Sequence, residues 1–400
     1  MIPEIKIFAL ASLGNGISGG DRIYIEFARR WSKKTKVSVY LWSEGYLMCT
    51  RQQLDKTKVD FFVSKMNPWC KMGFVICYLA RIIEGVRIGL VTKLSDDVNS
   101  PVIIYSASEF WMDSLPALIM KLRYKDKCKW IAAWYQTAPN PFKGFLESGF
   151  RENRYLAKSF MYWLMQFPIK PLITNFADIV VVNNESERGR FPRLNEKKRV
   201  VVVLGAVPLE NIKKYKSSIS QSTKKIYDAV FQGRFHPQKG VVELVDIWKR
   251  VVEKRSDSKL AMIGDGPLMG KVKERVIKYN LQNNIKLFGY VYDGPQKYKI
   301  FSQSKLVVHP AFYDSGGMAS AEAMAFGLPC VGFNLKSYES YYPHGMIKVK
   351  VGDLGSFSDT ILKLLNNNDL RKEVGKEAQK MIEKYWSWDN RANQVFSKII

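Results

Sequence analysis

The chain has 400 residues, enough for two domains of ordinary size. A hydrophobic content of 46% with 25% charged residues excludes a disordered or low-complexity chain. Lys and Arg number 62 against 37 Asp and Glu, and the resulting charge of +25 must face something negative: nucleic acid, an anionic membrane or phosphorylated substrates. Cys49, Cys70, Cys77, Cys128 and Cys330 are scattered without paired spacing, which predicts a reduced, intracellular protein with no zinc site. With three histidines and no His-rich cluster, a metal-centred enzyme is disfavoured. The N-terminus reads as a strand instead of a signal peptide, and no apolar run is long enough to span a bilayer.

Residues 5–11 form a predicted strand, followed by a glycine-rich loop over 13–21 and a helix over 23–31. Strand, loop and helix in that order can bring phosphate to a helix N-terminus near Gly19 and Gly20, although many such loops merely turn. This loop lacks the Walker spacing. A second strand covers 36–42. Over 67–93 a helical pattern mixes Trp69, Phe74 and Tyr78 with Lys71, Arg81 and Arg87, and Glu84 is its only acid. Such a surface could lean into lipid headgroups, or be a core helix with snorkelling cations. Strands follow at 102–106 and 129–134, the second ending at Tyr135 and Gln136. Between 142 and 167, Phe145, Phe150, Tyr155, Phe160, Tyr162 and Trp163 stand among Lys143, Arg151, Arg154 and Lys158. That mixture suits a membrane interface, where each cation contributes ~1 kcal/mol, and part of it must be packing. Strands at 177–184 and 199–204 complete the first half, and 205–208 begin a hinge.

A second α/β series starts with a strand over 228–232 and the loop Gly233-Arg234-x4-Lys239-Gly240. Arg234 as a fork and Lys239 as a point charge can converge on one anion, each contact worth roughly 1.5–3 kcal/mol. A turn at 264–267 ends the next strand, and another ends near Tyr290 and Val291. After the apolar run 306–308 come Asp314, Ser315, Gly316, Gly317 and Met318, then a helix-favouring segment to Phe326 with Glu322 roughly two turns inside. Free N–H groups in that first turn suit a phosphate or a sugar oxygen. Alone, the pair also fits a capping Asp and a solvated Glu.

The order of these motifs resembles that of retaining glycosyltransferases of family 4, in which an acidic-x7-acidic pair follows a Gly-Arg-x4-Lys-Gly loop; here the residues are Asp314, Glu322, Arg234 and Lys239. The likeness is strongest over 233–329 and only topological before about 177. It implies the GT-B architecture: two Rossmann-like, doubly wound α/β domains facing each other across a cleft. The expected division is an acceptor domain over 1–207, a nucleotide-sugar domain over 208–384, and a C-terminal helix over 385–400 crossing back. By resemblance, Arg234 and Lys239 grip a diphosphate and Asp314 contacts the donor sugar. Glu322 then holds the ribose, Ser315 to Met318 line the donor, and Tyr290 and Val291 meet the base. Gly19 and Gly20 approach phosphate or acceptor. Family members usually carry Glu where Asp314 stands, and a His where Tyr135 or Gln136 stands, so a neutral side chain would take the histidine's part.

The resemblance implies transfer from a UDP- or GDP-sugar to a lipid-linked or glycan acceptor, without metal or cofactor. With the basic charge it places the protein in the cytoplasm, peripheral at an anionic membrane face. Two alternatives are a nucleotide-sugar epimerase on the same fold and a nucleic-acid-binding protein. The basic residues are spread over many segments and form no recognised nucleic-acid motif, so no nucleic acid partner is expected.

Overall fold

In the computed structural model, residues 3–12, 16–65, 68–94, 102–145, 155–219 and 223–400 are described. Residues 13–15 of the glycine-rich loop, and Phe150, Arg151 and Arg154 of the aromatic stretch, lie outside them. The chain divides into two compact units. One comprises residues 1–138, 161–205 and 388–400; the other comprises 139–160 and 206–387.

The first unit is built on seven strands: β1 (Ile5–Phe8), β2 (Val37–Trp42), β3 (Val59–Ser64), β4 (Val102–Ser106), β5 (Cys128–Trp134), β6 (Ile179–Val182) and β7 (Val200–Val202). They pair in parallel in the order β3-β2-β1-β4-β5-β6-β7. Central strands such as β1, β4 and β5 are nearly continuous apolar runs because helices cover both faces of the sheet. Phe8, Trp130 and Trp134 are fully buried on one face. The order reverses between β1 and β4, and in such sheets the crevice at the carboxyl ends of those strands is where ligands bind.

The second unit repeats the plan with β8 (Tyr227–Gln232), β9 (Leu260–Ile263), β10 (Ile285–Gly289), β11 (Ser304–His309), β12 (Cys330–Phe333) and β13 (Met346–Val349). These are parallel in the order β10-β9-β8-β11-β12-β13. The reversal falls between β8 and β11. Adjacent strands therefore deliver the two loops that carry Lys239 and Asp314.

The expected α/β class with two parallel sheets is what the structure shows, and several local readings change. The stretch 67–93 resolves into a 3₁₀ segment Pro68–Met72 and a helix Phe74–Val91. Within it Cys70 and Cys77 form a disulfide, which corrects the expectation of five reduced cysteines. The short 3₁₀ turn folds back beside the helix start and brings their Cα atoms to 4.0 Å, a proximity that a separation of seven residues does not announce. Cys49, Cys128 and Cys330 are free and buried. The helix after Asp314 spans only Met318–Met324, so Glu322 lies about one turn inside it, not two.

Helix Phe74–Val91 packs closely on helix Trp111–Tyr124. A Cβ on Gly85 would meet the Met112 carbonyl oxygen at 2.7 Å, and one on Gly89 would meet Pro116 Cα at 2.8 Å. On its other side Val75, Leu79, Ile83 and Leu90 fall on one stripe and are 53–70% exposed. Among the described residues no helix is long and apolar enough to cross a membrane.

Candidate active site

In the second unit, β8 is followed by Gly233 and the chain turns through one 3₁₀ segment, Pro237–Lys239, before helix Val241–Lys254. Gly240 makes that entry with φ 63°, and a Cβ there would sit 2.0 Å from the Pro310 carbonyl oxygen, so both the backbone angle and the space demand glycine. Phe312 and Tyr313 donate their N–H groups to the Gln238 carbonyl oxygen at 2.8 and 3.2 Å, which laces this turn to the segment after β11.

That lacing brings Lys239 Nζ to 2.6 Å from Asp314 Oδ2. The same oxygen accepts from the Tyr338 hydroxyl and from His309 Nε2, both at 2.9 Å, and Oδ1 accepts the Ser315 N–H at 2.8 Å. The Asp314 side chain is 6% exposed. Burial alone would raise its pKa, but the Lys239 ammonium and the bond from His309 outweigh that and hold the carboxyl well below the usual carboxylate range. Burial in turn pushes the His309 imidazole below its ordinary value. Neutral His309 facing an ionised carboxylate must place its proton on Nε2, which leaves Nδ1 as a buried acceptor with no partner among the described residues.

Gly317 caps the helix Met318–Met324 in the left-handed region at φ 58°, and the Tyr342 hydroxyl donates to its carbonyl oxygen at 2.6 Å. A Cβ on Gly316 would stand 2.4 Å from the Tyr341 ring, so this turn is tightly enclosed by the tyrosines of 338–342. Glu322 is buried one turn further on. Its Oε2 accepts from Lys297 Nζ and, at 3.2 Å, from Gln232 Nε2. Lys297 is itself buried and also donates to Asp293. One ammonium thus fixes two carboxylates, as a buried lysine requires.

In the first unit, a Cβ on Gly20 would lie 3.1 Å from the Tyr135 ring. The Tyr135 hydroxyl is buried against that of Tyr105 at 2.6 Å. Gln136 keeps its backbone oxygen on Gln166 Nε2 at 2.7 Å, and its own Nε2 is buried without a partner among the described residues. Beside them Glu109 accepts from Tyr135 N–H and Gln166 Nε2. Burial pushes the Glu109 carboxyl up to about 7.

Residues 212–381 match the family described as glycosyl transferases group 1. That match falls within the second unit. The chain is also 23% identical over 370 residues to an uncharacterized glycosyltransferase of Methanocaldococcus jannaschii, an alignment covering 80% of this chain and 82% of that protein. It is 23% identical to the capsular polysaccharide biosynthesis glycosyltransferase CapM of Staphylococcus aureus, over 58% of this chain and 63% of CapM. Among solved structures, HepE of Anabaena in complex with UDP and glucose shares the fold over 99% of both chains, with a TM-score of 0.69 at 13% identity. The expected GT-B fold class stands on these likenesses.

Of the residues singled out in the sequence, the second unit brings Lys239, Asp314, Ser315 and Gly316 into one bonded cluster. Glu322 lies in a separate network under Gln232. Arg234 is exposed. Tyr290 is 38% exposed and packs edge-on to Tyr292, with Val291 half-buried beside it. His309, Tyr338 and Lys297 were not anticipated. His309 closes a strand five residues before Asp314, a position that could have signalled it. Tyr338 and Lys297 meet the acids only through the tertiary fold.

Proposed function

We propose that the chain is a retaining, family 4 type glycosyltransferase that moves a sugar from a UDP- or GDP-sugar to a lipid-linked or glycan acceptor. The observation that carries this reading is the Lys239–Asp314 contact at the joined ends of β8 and β11. Donor entry transfers the Lys239 ammonium from Asp314 toward the diphosphate. Asp314, kept ionised, is then an acceptor for a sugar hydroxyl. Lys239, Arg234 and the backbone N–H groups of Gly316 to Met318 stabilise charge growing on the leaving diphosphate, a task of electrostatic preorganisation that side chains can perform without a metal. Glu322, oriented by Lys297, receives the ribose, and Tyr290 and Val291 meet the base. The acceptor attacks on the face from which the diphosphate leaves, and the leaving phosphate takes its proton. Gly19, Gly20 and Gln136 serve the first-unit side, with Tyr135 as a packed support whose hydroxyl is engaged by Tyr105. The UDP and glucose of HepE support a UDP-sugar, and the basic, apolar helix Phe74–Val91 supports an anionic membrane face as the place of work.

A panel of nucleotide sugars, scored for binding and slow hydrolysis, tests the donor. Lys239→Ala, assayed as folded protein, is expected to lose on the order of 10²–10³ in turnover; near-normal turnover refutes the clamp. Conversion of the donor with no acceptor present would favour an epimerase instead.

A further inference from the structure

The Asp314 carboxylate offers about four acceptor positions, and among the described residues five donors reach it. Oδ1 takes the Ser315 N–H at 2.8 Å and the Gly316 N–H at 3.4 Å. Oδ2 takes His309 Nε2, the Tyr338 hydroxyl and Lys239 Nζ. The group is saturated, so a ligand hydroxyl reaches it only where one of these donors departs. Four of them are held in place. Two are backbone N–H groups, and the Ser337 hydroxyl donates to the Asp314 carbonyl oxygen at 2.7 Å, which pins that backbone. His309 ends β11, is buried, and stands nearly parallel to the Phe231 ring with centroids 6.4 Å apart. Tyr338 is fully buried, its ring edge-on to Tyr342 at 5.5 Å. Lys239 differs, because its ammonium rides on a flexible four-carbon stem and its side chain is 14% exposed. When the ammonium leaves, a buried, ionised carboxylate loses its full counter-charge, a loss that an incoming hydroxyl offsets in part and an anion does not. A sugar-free diphosphate draws the ammonium away and gives Asp314 nothing in return. A free sugar brings a hydroxyl but no anion to receive the ammonium.

We propose that the Lys239–Asp314 pair, held by His309 and Tyr338, discriminates a sugar-bearing nucleoside diphosphate from the spent, sugar-free one. Once the sugar has gone, Lys239 returns to Asp314 and the hold on the product weakens. This rests on the donor reading above and goes beyond it, because Tyr338 and His309 become positioning residues for the choice between donor and product. They act through Asp314 and touch no reacting atom.

The test is a calorimetric titration of UDP, UDP-glucose, UDP-N-acetylglucosamine, GDP, GDP-mannose and inorganic pyrophosphate into the full chain, for wild type, Asp314→Asn and Tyr338→Phe. In wild type the sugar nucleotide that binds best is expected to bind at least about tenfold tighter than its own sugar-free diphosphate, as a hydrogen bond to a charged group implies. Asp314→Asn releases the ammonium, so the sugar-free nucleotide and pyrophosphate should each tighten about tenfold and the ratio should fall below about threefold. Tyr338→Phe opens an acceptor position on Oδ2 while Lys239 stays, so a sugar hydroxyl no longer has to displace the ammonium. The ratio should narrow there too, with pyrophosphate affinity unchanged. A merely structural tyrosine would weaken all ligands alike. Equal affinities in wild type, a ratio kept in the variants, or pyrophosphate affinity unmoved by Asp314→Asn overturns the discrimination and leaves the donor reading standing. If no nucleotide binds the wild type, the donor reading and the discrimination fall together. Should melting curves show that Asp314→Asn does not fold, Tyr338→Phe, which keeps the ring and its packing, decides by the ratio.

Discussion

Asp314 is bonded on Oδ2 by Lys239, His309 and Tyr338, and only Lys239 brings a full charge. Removing one partner of a buried ion pair strands the other, a loss of about 3 kcal/mol or more. Lys239→Ala should therefore melt below wild type. Lys239→Ala/Asp314→Asn should recover more than half of that loss, which a double-mutant cycle in thermal unfolding reads directly. In the first unit, burial raises Glu109 from the ordinary glutamate value to about 7. A carboxyl raised in the folded state favours folding while protonated. Its contribution is full below the unfolded value near 4.5 and is lost as pH rises through about 7. The difference corresponds to about 3 kcal/mol. Glu109→Gln should flatten the stability curve of the first unit over that window, measured by denaturant unfolding from pH 4 to 8. An unchanged slope would show that Glu109 is ionised without penalty.

The helix Phe74–Val91 has two apolar sides with different fates. One carries Gly85 and Gly89 and closes onto Met112 and Pro116. The other leaves Val75, Leu79, Ile83 and Leu90 in solvent, with Lys71, Arg87 and Lys93 exposed nearby. Soluble surfaces seldom carry so continuous an apolar stripe. Flotation with anionic liposomes at low salt should recover the wild type and fail for Leu79→Glu/Ile83→Glu; equal flotation, or none for wild type, removes the membrane assignment. Element by element, the buried strands were legible because both faces are covered, so β4, β5 and β11 read as apolar runs. The edge strand β3 escaped notice because Val-Asp-Phe-Phe-Val-Ser is mostly exposed and has no clean alternation. At the other sheet's edge, β13 is four residues with a central Lys348 and was equally silent.

Across the whole molecule, motif order pointed to the loops after β8 and β11, since Arg234, Lys239, Asp314 and Glu322 lie in local patterns with chemical meaning. What ties them together did not show, because Tyr338 and Lys297 reach the acids through sheet topology that no short window encodes. The final residues, 388–400, return to the first unit. There Trp31 Nε1 donates to the Ala392 carbonyl oxygen at 3.0 Å, Gln394 Nε2 donates to Val202 O at 2.8 Å, and Val395, Phe396 and Ile399 are buried. Burying each large side chain is worth about 1.5–3 kcal/mol. A chain ending at 387 should therefore lose its first-unit melting transition or shift it far down, while the transition of the second unit stays in place. Coincident loss of both transitions would argue that the units do not fold separately.

The chain passes between its two units at 138/139, 160/161, 205/206 and 387/388. The second unit is therefore drawn from two separate stretches of the chain. A chimera joined once at 205/206 would take residues 206–387 from one parent and Phe145, Tyr155 and Lys158 of the same unit from the other. Recombination that keeps this unit whole has to carry that short inner stretch along with the distal half, or the Phe145 ring that packs edge-on to His236 will have been selected beside a different loop.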